Sequence, residues 1–305
     1  MESAKISYEE FVSQIRCRLY QLIPEEVNME VNPVIKNNSV HLDSLVLFRN
    51  DSNCSPSFYL QDYYEYYIQG SSIDQLTAQI YQKWQEFMEN SPACIPDLSL
   101  ENCRDFIIYR LINAKKNREI LKTAPYIPFF DLAIVFYYLV HRDNDGIQSL
   151  RITNRIMEEW GLSTHELYQY AQVNTPCLFP KCFRSMNDFV NELELTSENV
   201  SEEDPASFSP YILTNSNGVN GAAAWLYPEA LDDVAGCLNT NFYILPSSIH
   251  ELLILPEHYK FSSSELLDMV QTVNRQCVDR EEFLSDNIYL YHIEKKAIKM
   301  ITAAE

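Results

Sequence analysis

The side chains best suited to chemistry in this chain lie in one short stretch near the C-terminus. Ser247 and Ser248 are followed closely by His250 and Glu251. A serine activated by a histidine, with a carboxylate to orient the ring, is the set used in acyl transfer and hydrolysis. The stretch has no Gly-x-Ser-x-Gly elbow, and neighbouring strand residues point to opposite faces. The pattern therefore favours a turn whose hydroxyls bond to backbone groups, with a serine-type hydrolase as the alternative.

Two other groups of side chains could bind a ligand or a partner. Tyr63 and Tyr64 belong to a tyrosine-rich segment, and tyrosine offers apolar area with a polar tip. Packing on a helix face is the other interpretation of these tyrosines. Lys115, Arg118 and Lys122 have the spacing of one helix face and could hold a phosphate or an acidic partner. A solvated helix face, or pairing with the acidic C-terminal part of the same chain, is the favoured interpretation of these bases.

Motifs for a metal or a nucleotide are incomplete. Cys177 and Cys182 are the closest cysteine pair, but a zinc site needs two further ligands nearby. The His-Arg-Asp triplet at 141–143 matches only the start of a protein kinase catalytic loop, because Gln148 stands where that loop needs an asparagine. The six glycines of the chain form no phosphate-binding loop. We therefore expect no cofactor and no bound metal.

The chain is strongly acidic, and its charge is unevenly distributed. Acidic residues number 43 against 23 lysines and arginines, which gives a net charge of −20. No lysine or arginine occurs between Arg184 and Lys260. A negative field repels phosphate polymers and anionic lipid. We therefore expect no direct binding of nucleic acid or membranes, and a protein partner with a basic surface becomes the favoured contact.

Length and composition indicate a folded protein with one large or two medium domains. The 305 residues are 46% hydrophobic and 12% aromatic, which is enough for a packed core. No apolar run approaches the length of a transmembrane helix, and the N-terminus has no signal-peptide pattern. The eight cysteines are scattered, as in proteins with free thiols. These features predict a cytoplasmic protein.

The order of the predicted elements indicates an α+β fold. Strands occur in hairpins with helices inserted between them, so the sheets should be mostly antiparallel. The two apolar runs that flank the Ser-Ser-Ile-His-Glu stretch are predicted as paired strands. Residues 196–209 are polar and acidic without apolar periodicity, which is typical of a linker. We therefore predict an N-terminal α+β part at 1–195, an acidic linker at 196–209, and a C-terminal α+β part at 210–305.

Several segments have weaker signals for secondary structure. Residues 106–112 could form a strand or a helix. Residues 114–121 and 185–195 are predicted as helices, and residues 222–226 as a strand. The helix that follows Ser163 should end at residue 174, before a proline.

A set of motifs resembles a known family over nearly the whole chain. The motifs are Asp62-Tyr63-Tyr64-Glu65, Ile127 to Tyr137, Trp160-Gly161, Tyr211 to Asn215, Gly221-Ala222-Ala223 with Leu226-Tyr227-Pro228, and Tyr243 to Glu251. In these motifs the chain is similar to DUF5688, a bacterial domain-of-unknown-function family without an assigned activity. The resemblance implies a cytoplasmic bacterial protein. It transfers no catalytic residue, because the family has none established.

The leading hypothesis from the sequence is a binding or regulatory module rather than an enzyme. Its acidic C-terminal part would contact a protein partner or a small ligand. Two alternatives remain open: a hydrolase that uses Ser247 or Ser248 with His250, and an acidic mimic of nucleic acid from a mobile element. The oligomeric state is left open by the sequence.

Overall fold

The protein divides into two compact units, the first with one sheet and the second with two in the described residues. The computed structural model describes residues 5–50, 55–90, 98–143, 146–188, 210–246 and 248–302. The first unit comprises Met1–Lys36 and Val40–Leu98, and the second comprises Asn37–Ser39 and Ser99–Glu305. The three sheets contain antiparallel strand pairs, so the predicted α+β class is confirmed. Among the described residues, no helix is both long and apolar enough to cross a membrane.

In its described residues, the first unit is a three-stranded sheet with three helices. The strands, in sheet order, are β1 (Val27–Ile35), β2 (His41–Arg49) and β3 (Ser57–Tyr59), and the helices are α1 (Tyr8–Leu22), α2 (Leu60–Gln69) and α3 (Ile73–Asn90). The hydroxyl of Ser7 accepts the Glu10 N–H and so caps α1, as its sequence pattern predicts. Gly70, at a φ of 119°, ends α2 in the left-handed conformation that glycine adopts without strain. The apolar helix faces pack on the sheet in a core around Phe11 and Leu45.

The second unit contains two sheets. The six-stranded sheet has the order β13, β12, β10, β11, β9, β8, and in the four-stranded sheet β6 pairs with β4, β5 and β7. The strands are β4 (Ile107–Asn113), β5 (Tyr126–Phe129), β6 (Leu132–Asp143), β7 (Gly146–Arg151), β8 (Lys181–Ser185), β9 (Tyr211–Asn215), β10 (Phe242–Leu245), β11 (Leu252–Pro256), β12 (Ile288–His292) and β13 (Ala297–Ile301). The helices are α4 (Leu100–Cys103), α5 (Arg118–Thr123), α6 (Asn154–Glu159), α7 (Thr164–Leu178), α8 (Ala230–Leu238) and α9 (Ser263–Gln276).

Strand β6 is the centre of the four-stranded sheet. Its N-terminal half pairs with β4 on one edge and β5 on the other, and its C-terminal half pairs with β7. Val135 lies opposite both Arg110 of β4 and Tyr126 of β5, while Tyr137 lies opposite Arg151 of β7. Residues in register on antiparallel strands project from the same face, as do residues two apart on one strand. These five residues therefore share one face of the sheet.

The tip between β1 and β2 belongs to the second unit. Asn38 and Ser39 have φ angles of 58° and 56° and lie in a 3₁₀ turn, Asn37–Ser39. The Asn38 amide donates to the carbonyls of Arg280 and Phe283 at 2.9 and 2.7 Å. Its backbone N–H donates to Asn117 Oδ1 at 2.7 Å. The buried Asn38 therefore has its backbone N–H and side-chain amide N–H groups satisfied by partners distant in sequence.

The observed division differs from the two parts predicted from the sequence. Strand β8 precedes the predicted linker and pairs along its whole length with β9, which follows it. Both sides of the linker therefore belong to one sheet. The linker itself, residues 196–209, lies outside the described residues. Strand β8 was missed because it is only five residues long and includes Lys181 and Arg184, which weakens the apolar signal.

One predicted element differs in kind from the observed one, and another differs at its start. The predicted strand at 222–226 is part of a 3₁₀ helix, Gly221–Leu226. This segment packs tightly on the loop before β11, since a Cβ on Gly221 would lie 2.5 Å from the His250 carbonyl oxygen. Of the predicted helix at 185–195, Ser185 is the last residue of β8, residues 186–188 are helical as predicted, and residues 189–195 lie outside the described ranges. The ambiguous segment 106–112 is mainly strand β4.

Two helices differ in length from their predictions. Helix α5 begins at Arg118 rather than at residue 114, because the Asn113 side chain accepts the Lys116 N–H at 2.8 Å and forms a turn before the helix. Lys115 therefore precedes the helix and does not share a helix face with Arg118. Helix α7 continues through Pro176 to Leu178, beyond its predicted end.

The close packing at Gly221 predicts that two glycine-to-alanine variants change the free energy of unfolding in opposite directions. Gly221→Ala should lower the free energy of unfolding by about 1–3 kcal/mol, because the new methyl group meets backbone atoms that cannot move aside. Gly236→Ala, in the interior of α8 with open space around it, should raise that free energy by up to about 1 kcal/mol. Denaturant unfolding of both variants measures this difference, and equal stabilities would contradict the packing described.

Candidate functional site

The candidate serine, histidine and carboxylate lie in the connection between β10 and β11. Ser248 is buried, and its hydroxyl donates to Glu251 Oε1 at 2.7 Å. The same oxygen accepts the backbone N–H of His250 at 3.0 Å. A serine hydroxyl that bonds to the backbone two residues ahead is a common turn device. Ser247 lies outside the described residues.

The ring of His250 bonds to groups other than Ser248. Its Nδ1 accepts the backbone N–H of Asn220 at 3.3 Å, and its Nε2 lies 3.3 Å from a carboxylate oxygen of Glu282. A histidine base must direct a ring nitrogen at the nucleophile. The geometry at Ser248 therefore supports a structural turn, in which the histidine connects the loop to neighbouring segments.

The candidate tyrosines are packed within the first unit. Tyr63 of α2 is buried, with its ring 6.4 Å from that of Phe58 in an edge-on arrangement, and burial raises the pKa of its hydroxyl. Tyr64 packs edge-on against Tyr8 at 5.3 Å and donates its hydroxyl to the Ile6 carbonyl at 2.9 Å. These contacts correspond to the helix-packing interpretation of the two tyrosines.

The candidate bases lie around α5 in the second unit. Lys115 and Arg118 are exposed, and neither forms an ion pair within the described ranges. Lys122 forms an exposed pair with Glu119 at 2.6 Å, which contributes little to stability. The buried Ile120 packs α5 against β6. The two bases without a carboxylate partner thus lie beside the four-stranded sheet.

The described acids of the C-terminal part are mostly bonded within the chain. Residues 210–259 contain five acids, and four of these have a side-chain partner. The pairs are Asp232 with Lys296, Asp233 with Lys181, Glu251 with Ser248, and Glu257 with Asn241. Lys296 and Tyr291 hold the pKa of Asp232 below its usual range. In its described part, the predicted acidic contact surface is therefore largely occupied by internal bonds.

A cluster of hydrogen-bonded side chains around Asp131 was not predicted from the sequence. Its carboxylate accepts Ser285 Oγ at 2.6 Å, Asn287 Nδ2 at 2.9 Å and the Tyr289 hydroxyl. Burial above all, with the nearby carboxylate, raises the pKa of Tyr289 far above its usual value. The donors that reach this carboxylate come from β12 and the segment before it. The cluster therefore holds the turn between β5 and β6 in place.

A second group of side chains that the sequence did not predict lies on the face of the four-stranded sheet that packs against α5. The guanidinium carbon of Arg110 lies 4.1 Å from the centre of the Tyr137 ring, and its Nη2 donates to Ser149 Oγ at 2.7 Å. Arg151 of β7 lies directly opposite Tyr137 of β6. We call Arg110, Tyr137, Ser149 and Arg151 the arginine face. It brings two cations and an aromatic ring together from three strands.

The two arginines of this face are poorly neutralised. Both are half-buried, and neither forms an ion pair with a carboxylate of the described residues. The Nε atom of each is buried without a hydrogen-bond acceptor in that part of the chain. Burial lowers the pKa of Arg110, and Tyr137 opposes this effect. A buried cation without a counter-ion is costly, and a carboxylate or phosphate that accepted its N–H groups would offset that cost.

The arginine face has little signal in the sequence. Arg110 stands alone in a strand-length apolar run, and Arg151 ends a separate hairpin strand. An isolated arginine in such a run could have indicated a functional position, because charged residues are rarely placed within buried strands. The position of Arg151 next to it, however, is set by strand register, which depends on contacts distant in sequence.

Comparison with known proteins gives a family but no function. A family model described as "Family of unknown function (DUF5688)" matches residues 8–293, so the resemblance inferred from the motifs is confirmed. No curated protein and no solved structure matched the chain. In the described ranges, no group of three or more histidine, cysteine or acidic side chains is arranged to hold a metal ion.

The bonds of Ser248 predict a structural phenotype for its loss. Ser248→Ala should lower the free energy of unfolding by about 1–3 kcal/mol, because it leaves the part-buried N–H of His250 and the Glu251 carboxylate without their partner. The control Ser264→Ala removes an exposed hydroxyl and should leave stability unchanged. Denaturant unfolding measures both. Labelling of Ser248 by a serine-reactive probe, abolished in His250→Ala, would instead support a hydrolase.

Proposed function

The chain belongs to the DUF5688 family, a family of unknown function, and we propose from its site geometry that it binds a small anionic ligand on the arginine face. The observation that carries this proposal is the lack of a described carboxylate partner for Arg110 and Arg151. Acids outnumber bases by 43 to 23 in this chain, so internal neutralisation would be easy to achieve. A pair of cations left without it is suited to an external anion.

The chemistry of the arginine face favours an oxyanion. A guanidinium group presents N–H donors in a planar fork that matches the oxygens of a carboxylate or phosphate. Ser149 uses its oxygen to accept from Arg110, which leaves its hydroxyl proton to donate to a ligand. Lys115 and Arg118 lie beside the same sheet and add to its positive potential. Binding should therefore weaken with added salt.

The arrangement supports binding rather than turnover. Arginine keeps its proton at neutral pH and cannot serve as a general base. The contacts of Arg110 with Tyr137 and Ser149 are of the kind that orient a bound anion. The turn at Ser248 offers no histidine to activate its hydroxyl, which weighs against the hydrolase alternative.

The protein partner predicted from the sequence remains a separate hypothesis. It depends on the acidic C-terminal part, where Glu229 alone among the five described acids of 210–259 has no side-chain bond. The hypothesis of an acidic mimic of nucleic acid also depends on these acids, most of which bond within the chain. Salt-sensitive capture of a basic protein would support the partner hypothesis.

Substitution of Arg151 tests the proposed function directly. The wild-type chain should bind inorganic phosphate in calorimetry, and Arg151→Gln should weaken that binding about tenfold or more, because a charge-assisted hydrogen bond is lost. Arg155→Gln is the matched control: it removes the same charge from an exposed pair with Glu159 on α6 and should leave binding unchanged.

The same variants separate a ligand site from an internal ion pair. If Arg151 serves an external anion, Arg151→Gln without ligand should be as stable as the wild type or more stable, because an uncompensated charge is removed. A loss of several kcal/mol in the free energy of unfolding would show that the chain itself neutralises this arginine. That outcome, or the absence of phosphate binding by the wild type, would overturn the proposed function.

A further inference from the structure

The arginine face continues into an exposed aromatic ring at Tyr126. This residue begins β5 and lies opposite Val135, which is also the register partner of Arg110 on the other edge of β6. Arg151 ends β7 and lies opposite Tyr137, two residues further along the same strand. Strands β5 and β7 therefore meet end to end along one edge of β6. With a rise of about 3.3 Å per residue, Tyr126 and Arg151 lie roughly 7 Å apart along that edge.

The Tyr126 side chain is available for a ligand. It is 41% exposed, and it has no ring contact, cation contact or hydrogen bond with the described residues. Tyr137, on the same face, is occupied by the guanidinium group of Arg110. An exposed aromatic ring next to two poorly neutralised cations combines a stacking platform with an anion site.

We propose that the ligand of the arginine face is an aromatic phosphate, with its phosphate held by Arg110 and Arg151 and its ring stacked on Tyr126. This inference rests on the proposed function and adds the class of ligand. The spacing of about 7 Å between the two positions suits a ring joined to a phosphate through one or a few bonds. Aryl phosphates and nucleoside monophosphates share this chemistry. Ring stacking should strengthen binding roughly threefold to tenfold over inorganic phosphate.

Calorimetry with the full chain tests this inference with two ligands, phenyl phosphate and inorganic phosphate. The wild type should bind phenyl phosphate roughly threefold to tenfold more tightly. Tyr126→Ala should remove this advantage and leave the affinity for inorganic phosphate unchanged, while Tyr126→Phe should keep it. Tyr20→Ala, which removes an exposed tyrosine from α1 of the first unit, is the matched control and should change neither affinity.

Each outcome separates the inference from the proposed function. Equal affinities for the two ligands, both weakened in Arg151→Gln, would overturn the aromatic ligand and keep the anion site. Failure of the wild type to bind either ligand would overturn both. Saturation-transfer NMR tests the stacking on the wild type without a variant. The ring protons of bound phenyl phosphate should receive saturation from the protein. If they receive none, although inorganic phosphate competes with phenyl phosphate for the site, the stacking is overturned. Adenosine and uridine monophosphates in the same assay distinguish a nucleotide from a simple aryl phosphate.

Discussion

The pairing of β6 along both of its edges is the constraint on which the second unit depends. Because β4 holds one edge and β5 and β7 share the other, each side chain of the sheet has a fixed face and fixed neighbours. One face packs on α7, where Tyr109 stacks on Tyr168 and its backbone N–H donates to Thr175. The opposite face supports α5 and the arginine face. A shift of β6 by one residue would exchange these two faces and separate the arginines.

Polar clusters that resemble functional sites have structural uses in this protein. The hydrogen bonds of Asn38 and of the Asp131 cluster join segments distant in sequence, and those of Ser248 close a turn with residues two and three positions ahead. Buried backbone groups outside regular strands need such partners, and short polar side chains supply them. A complete set of internal partners therefore indicates structure. The arginine face differs because its donors exceed the acceptors in the described part of the chain.

Net charge alone gave an incomplete picture of where this protein could bind. The net charge of −20 favours the acids of the C-terminal part as a contact surface. Most of the described acids at 210–259, however, bond to lysine, serine, asparagine or tyrosine side chains of the same chain. A surface charge that is already paired attracts a partner weakly. Two half-buried arginines contribute little to the total, but their desolvation without a described counter-ion is what the proposed anion site rests on.

The sequence by itself determined most of the local structure. The hydroxyls of Ser7, Ser163 and Ser262 cap their helices as their spacing to a glutamate predicts, and the hairpins β6–β7, β10–β11 and β12–β13 form where two short apolar runs lie on either side of a turn. These features depend on residues close in sequence, so their signals can be read there. Only the tertiary structure decided that β8 joins the sheet of β9, that Gly221 begins a 3₁₀ helix, and that Arg110, Arg151 and Tyr126 share one face. The physical reason is that register and close packing are set by contacts between distant segments, which local patterns do not encode.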